Sequence, residues 1–262
     1  MQTTRRSRDE LRATLVAEGR DILLTEGLHA GSSNLTFKRV FERVEAKTGV
    51  RVTNASVIKR IWHNQADFQT DVVVSIARDE ARRAQGSGQR VTALLSAFDT
   101  STPASRARAL REVCRVEGNA SSAAIDRSAN WRLWIGIVAM AISRSSPVER
   151  ARITAALDEG YREVTAFWSG NIGGVIGLLG FRVRSPWSLD EFSVAAIAMA
   201  EGCALRQLAD DDPMTARPTG PSGEGQAWSR FAVGFEALAN QYLEADPDYV
   251  PPSAGAAPTT DR

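Results

Sequence analysis

The chain has few of the residues on which enzyme chemistry usually depends. Its 262 residues include only two histidines and two cysteines. His29 and His63 have no nucleophile or metal-ligand companion at useful spacing, and GxSxG, HExxH and CxxC motifs are absent. Cys114 and Cys203 lie in apolar helical patterns, which predicts buried thiols in a reducing cytoplasm. We therefore expect a non-enzymatic protein that needs neither a metal nor a cofactor.

Long apolar runs and alternating patterns are also missing. The longest apolar runs, Leu133–Ile142 and Val175–Leu179, fall short of the roughly 20 residues that a transmembrane helix requires. No apolar segment follows the basic N-terminus as it would in a secretory signal. No stretch alternates apolar and polar residues for long enough to predict a strand. The sequence therefore predicts a cytoplasmic, all-α protein without strands.

Charge is distributed unevenly along the chain, although the formal net charge is only +1. Residues 1–62 contain 12 Lys and Arg against 7 Asp and Glu, whereas residues 190–262 contain 4 against 12. Three arginines, at positions 5, 6 and 8, precede the first predicted helix and can reach a phosphate or the minor groove. The basic end is therefore where we expect a polyanion to bind.

Residues 36–68 have the pattern of a helix, a turn and a second short helix. Thr36 can cap the first helix, whose apolar residues recur at helical spacing, and Gly49 can end it with a positive φ. The second helix is predicted from Ala55 to Trp62. Proteins place a short helix in the major groove of DNA with such a pair, although helix pairs also occur in ordinary bundles. A leading helix at residues 7–24 can pack behind the pair and complete a three-helix module.

The outward face of this module predicts the DNA contacts. Small, polar and cationic side chains suit base edges and phosphates. The residues predicted at the groove are Thr53, Asn54, Ser56, Lys59 and Arg60. The residues predicted to contact phosphates are Thr36, Lys38, Arg39 and Arg51.

Beyond the helix pair, the periodicity predicts further helices separated by segments rich in Ser, Pro and Gly. They cover approximately residues 66–84, 91–98, 104–117, 122–143, 148–179, 189–208 and 226–244. Residues 1–6 and much of 211–225 are expected to be disordered. The predicted division is a DNA-binding domain at 1–68, a regulatory and dimerisation domain at 69–245, and a disordered tail at 246–262.

Two of the later helices are dense in aromatic side chains. Such side chains can line a cavity for a largely apolar small molecule, or they can simply form core. The predicted pocket residues are Trp131, Trp134, Ile135, Met140, Tyr161, Phe167 and Trp168. The candidate polar anchors are Asn130, Arg132, Arg162 and Glu163. The glycine-rich run 170–177 lacks the Lys-Ser/Thr of a phosphate loop, so we interpret it as weak or broken helix where backbones approach closely.

The last two predicted helices are apolar or small around most of their circumference. A second copy of the chain can cover these faces in a four-helix contact, and the alternative is a pair buried within one chain. The predicted interface residues are Phe192, Ala195, Met199, Cys203, Phe231, Phe235 and Leu238.

Several motifs resemble those of the TetR family of transcriptional regulators. The matching N-terminal pieces are Glu26-Gly27-Leu28, Thr36, Gly49-Val50, Ile58-Lys59-Arg60-Ile61-Trp62 and Gln65-Ala66-Asp67-Phe68. The segment from Ala200 to Leu205 resembles part of a regulatory helix of that family. The chain departs from the family pattern in a turn lengthened by Arg51-Val52-Thr53, in Lys59 where a tyrosine is common, and in Gln65 where a lysine is frequent.

The resemblance implies a one-component regulator, more often a repressor, that binds a palindromic operator in double-stranded DNA as a homodimer. A small effector in the C-terminal domain would change the spacing of the two recognition helices, with the helix at 66–84 as the link. The residues leave another interpretation open, namely a helical protein-interaction module, or a regulator controlled by a protein partner without a small ligand.

Overall fold

The computed structural model confirms the predicted all-α class. It describes residues 7–28, 33–49, 51–53, 57, 60–80, 91, 94, 95, 98, 100–143, 146–209, 214–218 and 225–251. Within these residues the helices are α1 (Arg8–Glu26), α2 (Phe37–Thr48), α3 (Gln65–Glu80), α4 (Pro103–Arg127), α5 (Ala129–Ser143), α6 (Pro147–Leu178), α7 (Leu189–Gln207) and α8 (Arg230–Tyr242). The strands are β1 (Phe181–Val183), β2 (Met214–Pro218), β3 (Gly225–Ser229) and β4 (Leu243–Ala245).

The ends of α1 and α2 follow from side chains close to them in the sequence. The Ser7 hydroxyl accepts from the Glu10 N–H at 3.1 Å, and the Glu10 carboxylate accepts from the Ser7 N–H at 2.8 Å. This reciprocal cap satisfies two donors that the first turn would leave unpaired. Thr36 caps α2 through the Arg39 N–H at 3.3 Å, and Gly49 ends α2 in the left-handed region at φ 67°. The predicted start and stop of α2 are confirmed.

The chain forms two compact units, and the first combines two separate parts of the sequence. Its described residues fall within 1–83 and 128–164, so α5 and the N-terminal part of α6 belong with α1, α2 and α3. The core joins Leu15 and Phe68 to Ile137, all of them fully buried. Each such side chain contributes about 1.5–3 kcal/mol on burial. The predicted boundary at residue 68 differs because sequence periodicity does not reveal which distant helices pack together.

The second unit has its described residues within 84–127 and 165–262. In this unit α8 packs against α4 and α7. The rings of Phe192 and Phe235 stack with centroids 5.8 Å apart, and Phe231 lies 5.6 Å from Phe235. Gly118 lets α4 approach α8 closely, because a Cβ there would lie only 2.5 Å from the Ala232 Cα.

Two short antiparallel strand pairs correct the prediction that strands are absent. β1 pairs with β4, and β2 pairs with β3. A strand of three residues is too short to show an alternation of apolar and polar residues, and one of five residues shows it only briefly, which explains why periodicity missed them. The helix predicted from Gln226 therefore begins only at Arg230, where the Ser229 hydroxyl accepts from the Ala232 N–H at 3.1 Å.

Residues 246–251, which the sequence assigned to a disordered tail, return to the end of α6. The Asp246 N–H donates to the Gly180 carbonyl at 2.9 Å, and the Tyr249 hydroxyl donates to the Leu178 carbonyl at 2.7 Å. The Arg106 guanidinium lies 4.8 Å from the centre of the Tyr249 ring. An aromatic ring with these partners orders a segment whose composition alone suggested disorder.

The glycine-rich run at residues 170–177 is part of the long helix α6 rather than a broken stretch. A Cβ at Gly170, Gly174 or Gly177 would meet nothing within 4 Å, so close backbone approach does not explain these three positions. Gly173 differs, because a Cβ there would lie 2.9 Å from Leu189 Cδ2. None of the described helices is both long enough and apolar enough to span a membrane.

Candidate DNA-binding surface and ligand cavity

The structure describes Val57 and residues 60–62 of the predicted recognition helix. Val57 is fully buried, and its carbonyl accepts from the Ile61 N–H at 3.0 Å and from the Arg60 N–H at 3.3 Å. These bonds close a helical turn that ends just before the buried Trp62. The predicted DNA contacts Asn54, Ser56 and Lys59 lie outside the described residues.

An aromatic cluster holds this segment against α2 and α3. The Trp62 ring lies 4.8 Å from Phe68, edge to face, and 6.2 Å from Phe37. Phe37 also stacks on Phe68 at 5.1 Å. The Gln65 side chain accepts from the Phe37 N–H at 3.3 Å, which satisfies one of the unpaired donors at the start of α2. The residue that departs from the family pattern at position 65 therefore has a local structural role.

The described residues among the predicted DNA contacts differ in the exposure of their side chains. Arg51, Thr53 and Arg60 are exposed, and the buried Val52 between the first two anchors the loop so that they face outward. Lys38 is also exposed and lies 3.9 Å from Glu42.

Arg39 and Thr36 have partners within the chain. The Arg39 guanidinium forms an ion pair with Glu26, and the Thr36 hydroxyl accepts the capping bond from the Arg39 N–H. Both residues are half-buried. A phosphate contact by Arg39 would therefore compete with its pairing to Glu26.

Two further cations of α2 are held by α1 and were not predicted as DNA contacts. Glu18 is only 6% exposed, and its carboxylate accepts from Arg43 and from Lys47, the latter at 2.8 Å. Asp21 accepts from the same two side chains. The hydrogen bond to Glu18, with the nearby negative charges, raises the pKa of both Arg43 and Lys47. This network fixes α2 on α1 and removes two positive charges from the candidate DNA-binding surface.

A half-buried carboxylate on α3, that of Asp71, accepts hydrogen bonds from three other segments of the first unit. Asp71 Oδ2 accepts from Trp62 Nε1 at 2.7 Å and from Arg12 Nη2 at 2.8 Å, while Oδ1 accepts from Arg152 Nη2 at 3.1 Å. Sequence analysis did not identify this cluster. Its only signal was an acidic residue three positions after the core residue Phe68, on the inner face of α3.

The second unit contains a cavity of about 230 Å³. That volume lies just below the range of about 300–1,000 Å³ usual for ligand sites, so it suits a small molecule. Most of its walls are apolar and come from α4, α6, α7 and α8. The principal side chains are Leu110, Val113, Trp168, Ile172, Phe192 and Phe235.

Three polar side chains interrupt the apolar walls of this cavity. Glu117 is 8% exposed, and the Nδ2 atom of Asn171 is buried without a hydrogen-bond partner among the described residues. Burial, and then the charge of Glu236, raise the pKa of the Cys114 thiol to about 12. Cys114 is therefore a neutral thiol at physiological pH, which disfavours capture of an electrophile or a metal.

The predicted pocket residues are divided between the two units. Trp131, Trp134 and Met140 are buried in the first unit, and Ile135 packs against the core there. The Trp134 indole donates to the Tyr161 hydroxyl at 3.3 Å. Of the seven predicted residues, Trp168 alone lines the cavity, and Phe167 beside it is half-buried. Aromatic density alone could not show that the two ends of α6 contribute to different cores.

The predicted dimer-interface residues are in part covered by their own chain. Phe192, Phe231 and Phe235 are buried in the core of the second unit. The half-buried members of the set are Ala195, Met199, Cys203 and Leu238. The large apolar residues that α7 and its end expose are Val194, Leu205 and Leu208, none of which is among the predicted interface residues.

Comparisons with known proteins give little further guidance. No model of a known protein family matches the chain, and no curated protein matches it. Among solved structures, the chain is similar to a protein from Saccharomonospora viridis that is provisionally described as a transcriptional regulator and was crystallised in complex with choline. The two share 12% identity at a TM-score of 0.44, over 90% of this chain and 99% of that one.

Proposed function

We propose that the protein is a one-component transcriptional regulator similar to the TetR family. We expect it to act as a repressor rather than as an activator. It binds a palindromic operator in double-stranded DNA as a homodimer, and a small, largely apolar effector changes its affinity for that operator. The observation that supports the proposal is a capped α2 that ends at Gly49, followed by the bonded turn from Val57 to Ile61 and the buried side chains of Val57 and Trp62.

The charges on this module support DNA binding. Arg43 and Lys47 are paired internally, whereas Arg51 and Arg60 are exposed on the loop and at the end of the second segment. Exposed guanidinium groups can contact phosphates, which supply most of the affinity for DNA. We still expect Asn54, Ser56 and Lys59 to contact base edges.

The proposal is tested by selecting bound sequences from random DNA with the full chain. We expect an enriched motif with two half-sites related by a two-fold axis and spaced by about one helical turn, about 10 base pairs. A single unpaired half-site would contradict dimeric binding, and the absence of enrichment would contradict the whole proposal.

The homodimer is supported by the face that α7 leaves uncovered. Val194 is 53% exposed and Leu205 44% exposed, and the small residues Ala198 and Gly202 lie on the same side of the helix. Small residues permit a second helix to approach closely, and two-fold contacts of this kind are common in helical dimers.

Replacing both Val194 and Leu205 with glutamate should give a folded monomer in sedimentation. A wild-type chain that is monomeric at micromolar concentration would contradict this part.

The effector site is supported by the cavity of the second unit. Its apolar walls suit an apolar ligand body, and Glu117 and Asn171 can bind one polar group of that ligand by accepting and donating hydrogen bonds. The neutral Cys114 thiol favours reversible binding over covalent capture.

The cavity can be tested with a matched pair of glycine variants. Gly174 lines the cavity, Gly177 does not, and neither position has an atom that a Cβ would meet within 4 Å. Thermal-shift measurements against small apolar metabolites should show stabilisation of the wild type and of Gly177→Trp, but not of Gly174→Trp. The same shift in all three chains would place the effector elsewhere. No shift with any metabolite, together with intact operator binding, would favour control by a protein partner.

The proposal assigns no catalytic activity to the protein. Among the described residues no three His, Cys, Asp or Glu side chains form a group that could hold a metal ion. His63 is exposed and lies 3.6 Å from Asp67, and His29 lies outside the described residues. Binding alone is sufficient for a regulator of this kind.

A further inference from the structure

The Asp71 cluster consists of Asp71, Trp62, Arg12 and Arg152. Its one carboxylate connects the recognition segment, which is the predicted second helix with Trp62 at its end, to α1 and α6. Asp71 is only 12% exposed, yet it accepts bonds from Trp62, from Arg12 of α1 and from Arg152 of α6. Each oxygen has a defined partner set: Oδ2 binds Trp62 and Arg12, and Oδ1 binds Arg152. Charge-assisted bonds of this length are the stronger kind in proteins.

Trp62 depends on this carboxylate because its indole is almost entirely buried. The ring is 4% exposed and wedged against Phe37 and Phe68, so its N–H has no access to bulk water. The bond to Asp71 Oδ2 therefore satisfies a buried donor and fixes the rotation of the ring. Because Trp62 directly follows Arg60 and Ile61, the ring orientation sets where the end of the recognition segment lies.

Arg152 is the partner that can change. Its Nη2 atom donates to Asp71 at 3.1 Å, and its Nη1 atom lies 3.7 Å from Asp67 Oδ1, one turn earlier on α3. The guanidinium therefore contacts both carboxylates at once, and a movement of Arg152 can shorten one contact while it lengthens the other. α6 carries Arg152 near its start, and the same continuous helix supplies Trp168 and Asn171 to the cavity wall.

We propose that Asp71 is a positioning residue for DNA binding, and that Arg152 makes its hold on Trp62 sensitive to the state of α6. This inference rests on the proposed function. When Arg152 pairs with Asp71, the carboxylate holds Trp62 in one orientation. When Arg152 shifts towards Asp67, Asp71 is held only by Arg12 and Trp62, and the recognition segment takes a second position. An effector that favours one position of α6 then changes DNA affinity.

The positioning role is tested without DNA by following the Trp62 indole N–H in the full chain by NMR. The resonance is assigned from its loss in Trp62→Phe. Asp71→Asn should shift this resonance and speed its hydrogen exchange by about fivefold or more, because a neutral amide binds the donors more weakly. Arg152→Gln should move the same resonance, and Arg152→Lys should restore it in part. An unchanged resonance in both Asp71→Asn and Arg152→Gln would overturn the positioning role.

The coupling is tested with a filled cavity in place of an unidentified effector. Gly174→Trp should change the affinity for the selected operator by about fivefold or more. In an Arg152→Gln background, the same substitution should change the logarithm of the operator affinity by less than half as much. Arg12→Gln is the matched control, because it also removes one guanidinium from Asp71 but lies on α1, and it should leave the effect of Gly174→Trp intact.

These outcomes separate the inference from the function on which it rests. If the effect of Gly174→Trp is absent, or persists fully with Arg152→Gln, the coupling through Arg152 is overturned. If the wild type binds no DNA, the proposed function fails, and the Trp62 resonance still decides whether Asp71 positions the segment.

Discussion

At the scale of single residues, the structure separates cations that hold the fold from cations that are available to a ligand. Arg43 and Lys47 resemble Arg51 and Arg60 in the sequence, since all four lie in the basic N-terminal part. The difference is Glu18, which is buried on α1 and accepts from both side chains of the first pair. A buried carboxylate without a cationic partner is strongly destabilising, so Glu18 requires these two cations in the folded chain.

Replacing Glu18 with glutamine should therefore destabilise the first unit. We expect a loss of about 1–2 kcal/mol in the free energy of unfolding, because Arg43 and Lys47 are partly exposed and keep Asp21 as a partner. Urea unfolding measures the change. Glu42→Gln is the matched control on α2, because its pair with Lys38 is exposed and should contribute less than about 0.5 kcal/mol. Equal effects of the two substitutions would contradict the role of Glu18.

Cys114 gives a pH dependence with a defined sign. Burial raises the pKa of its thiol from the ordinary value of 9.0 to about 12 in the folded chain. The folded state therefore favours the protonated thiol, and this contribution to stability is complete below about pH 9 and is lost as the pH rises towards about 12. Between about pH 8 and pH 10, wild type should lose about 1 kcal/mol of unfolding free energy relative to Cys114→Ala. A pH-independent difference in urea unfolding would show that the thiol is not buried.

At the scale of secondary-structure elements, the sequence predicts helices well where local chemistry decides their ends. Thr36 and Gly49 bound α2, and the start predicted for α6 at Val148 lies one residue from the observed Pro147. The predicted break between α4 and α5 fails for a tertiary reason. Gly118 and Asn119 look like a helix stop, yet they lie inside α4.

Those two residues serve contacts that local rules cannot anticipate. Gly118 leaves room for the backbone of α8 at Ala232. The Asn119 side chain accepts from the Ser229 N–H at 2.7 Å and donates to the Ala227 carbonyl at 2.9 Å, which holds the corner between β3 and α8. The true break is at Ser128, whose hydroxyl accepts from the Trp131 N–H at 3.1 Å and caps α5.

The candidate sites show the same limit of sequence analysis. Periodicity predicts a helix pair and its outward residues, but it does not identify partners that are distant in the chain. The hydrogen bonds of the Asp71 cluster join residues up to 81 positions apart, and the cavity wall combines side chains from four helices. Such sites depend on how helices pack, and one helical face looks the same whether it meets core, cavity or solvent.

Alanine at two glycine positions should have opposite effects on helix stability. Gly118→Ala should destabilise the chain by about 2 kcal/mol or more, because the new methyl group meets the backbone of α8 and cannot be accommodated by a rotamer change. Gly174→Ala should stabilise it by about 0.5–1 kcal/mol, because alanine favours the helix and the position is open. Thermal unfolding of both variants tests the pair, and a stabilising Gly118→Ala would contradict the close packing of α4 on α8.

At the scale of the whole molecule, basic and acidic residues are distributed unevenly along the chain. The N-terminal 62 residues carry a surplus of basic residues, and the last 73 carry a surplus of acidic residues. In the proposed function, attraction to the phosphates of DNA would act mainly on the basic N-terminal part. Operator affinity should accordingly fall steeply with salt, and each phosphate contact that a substitution removes should lower the slope by about one.

The most direct measurement is the affinity of three chains for the selected operator at physiological salt. These are the wild type, the double variant Lys59→Ala with Arg60→Ala, and Arg162→Ala. Arg162 is the control because it is an exposed arginine of the same unit, paired with Asp158 at 3.2 Å and outside the helix pair.

The double variant should lose about 2 kcal/mol or more of binding free energy, as expected for two base or phosphate contacts, and should keep the unfolding free energy of the wild type. The control should bind as the wild type does. Undiminished binding by the double variant would show that the segment from Ala55 to Trp62 does not enter the DNA groove.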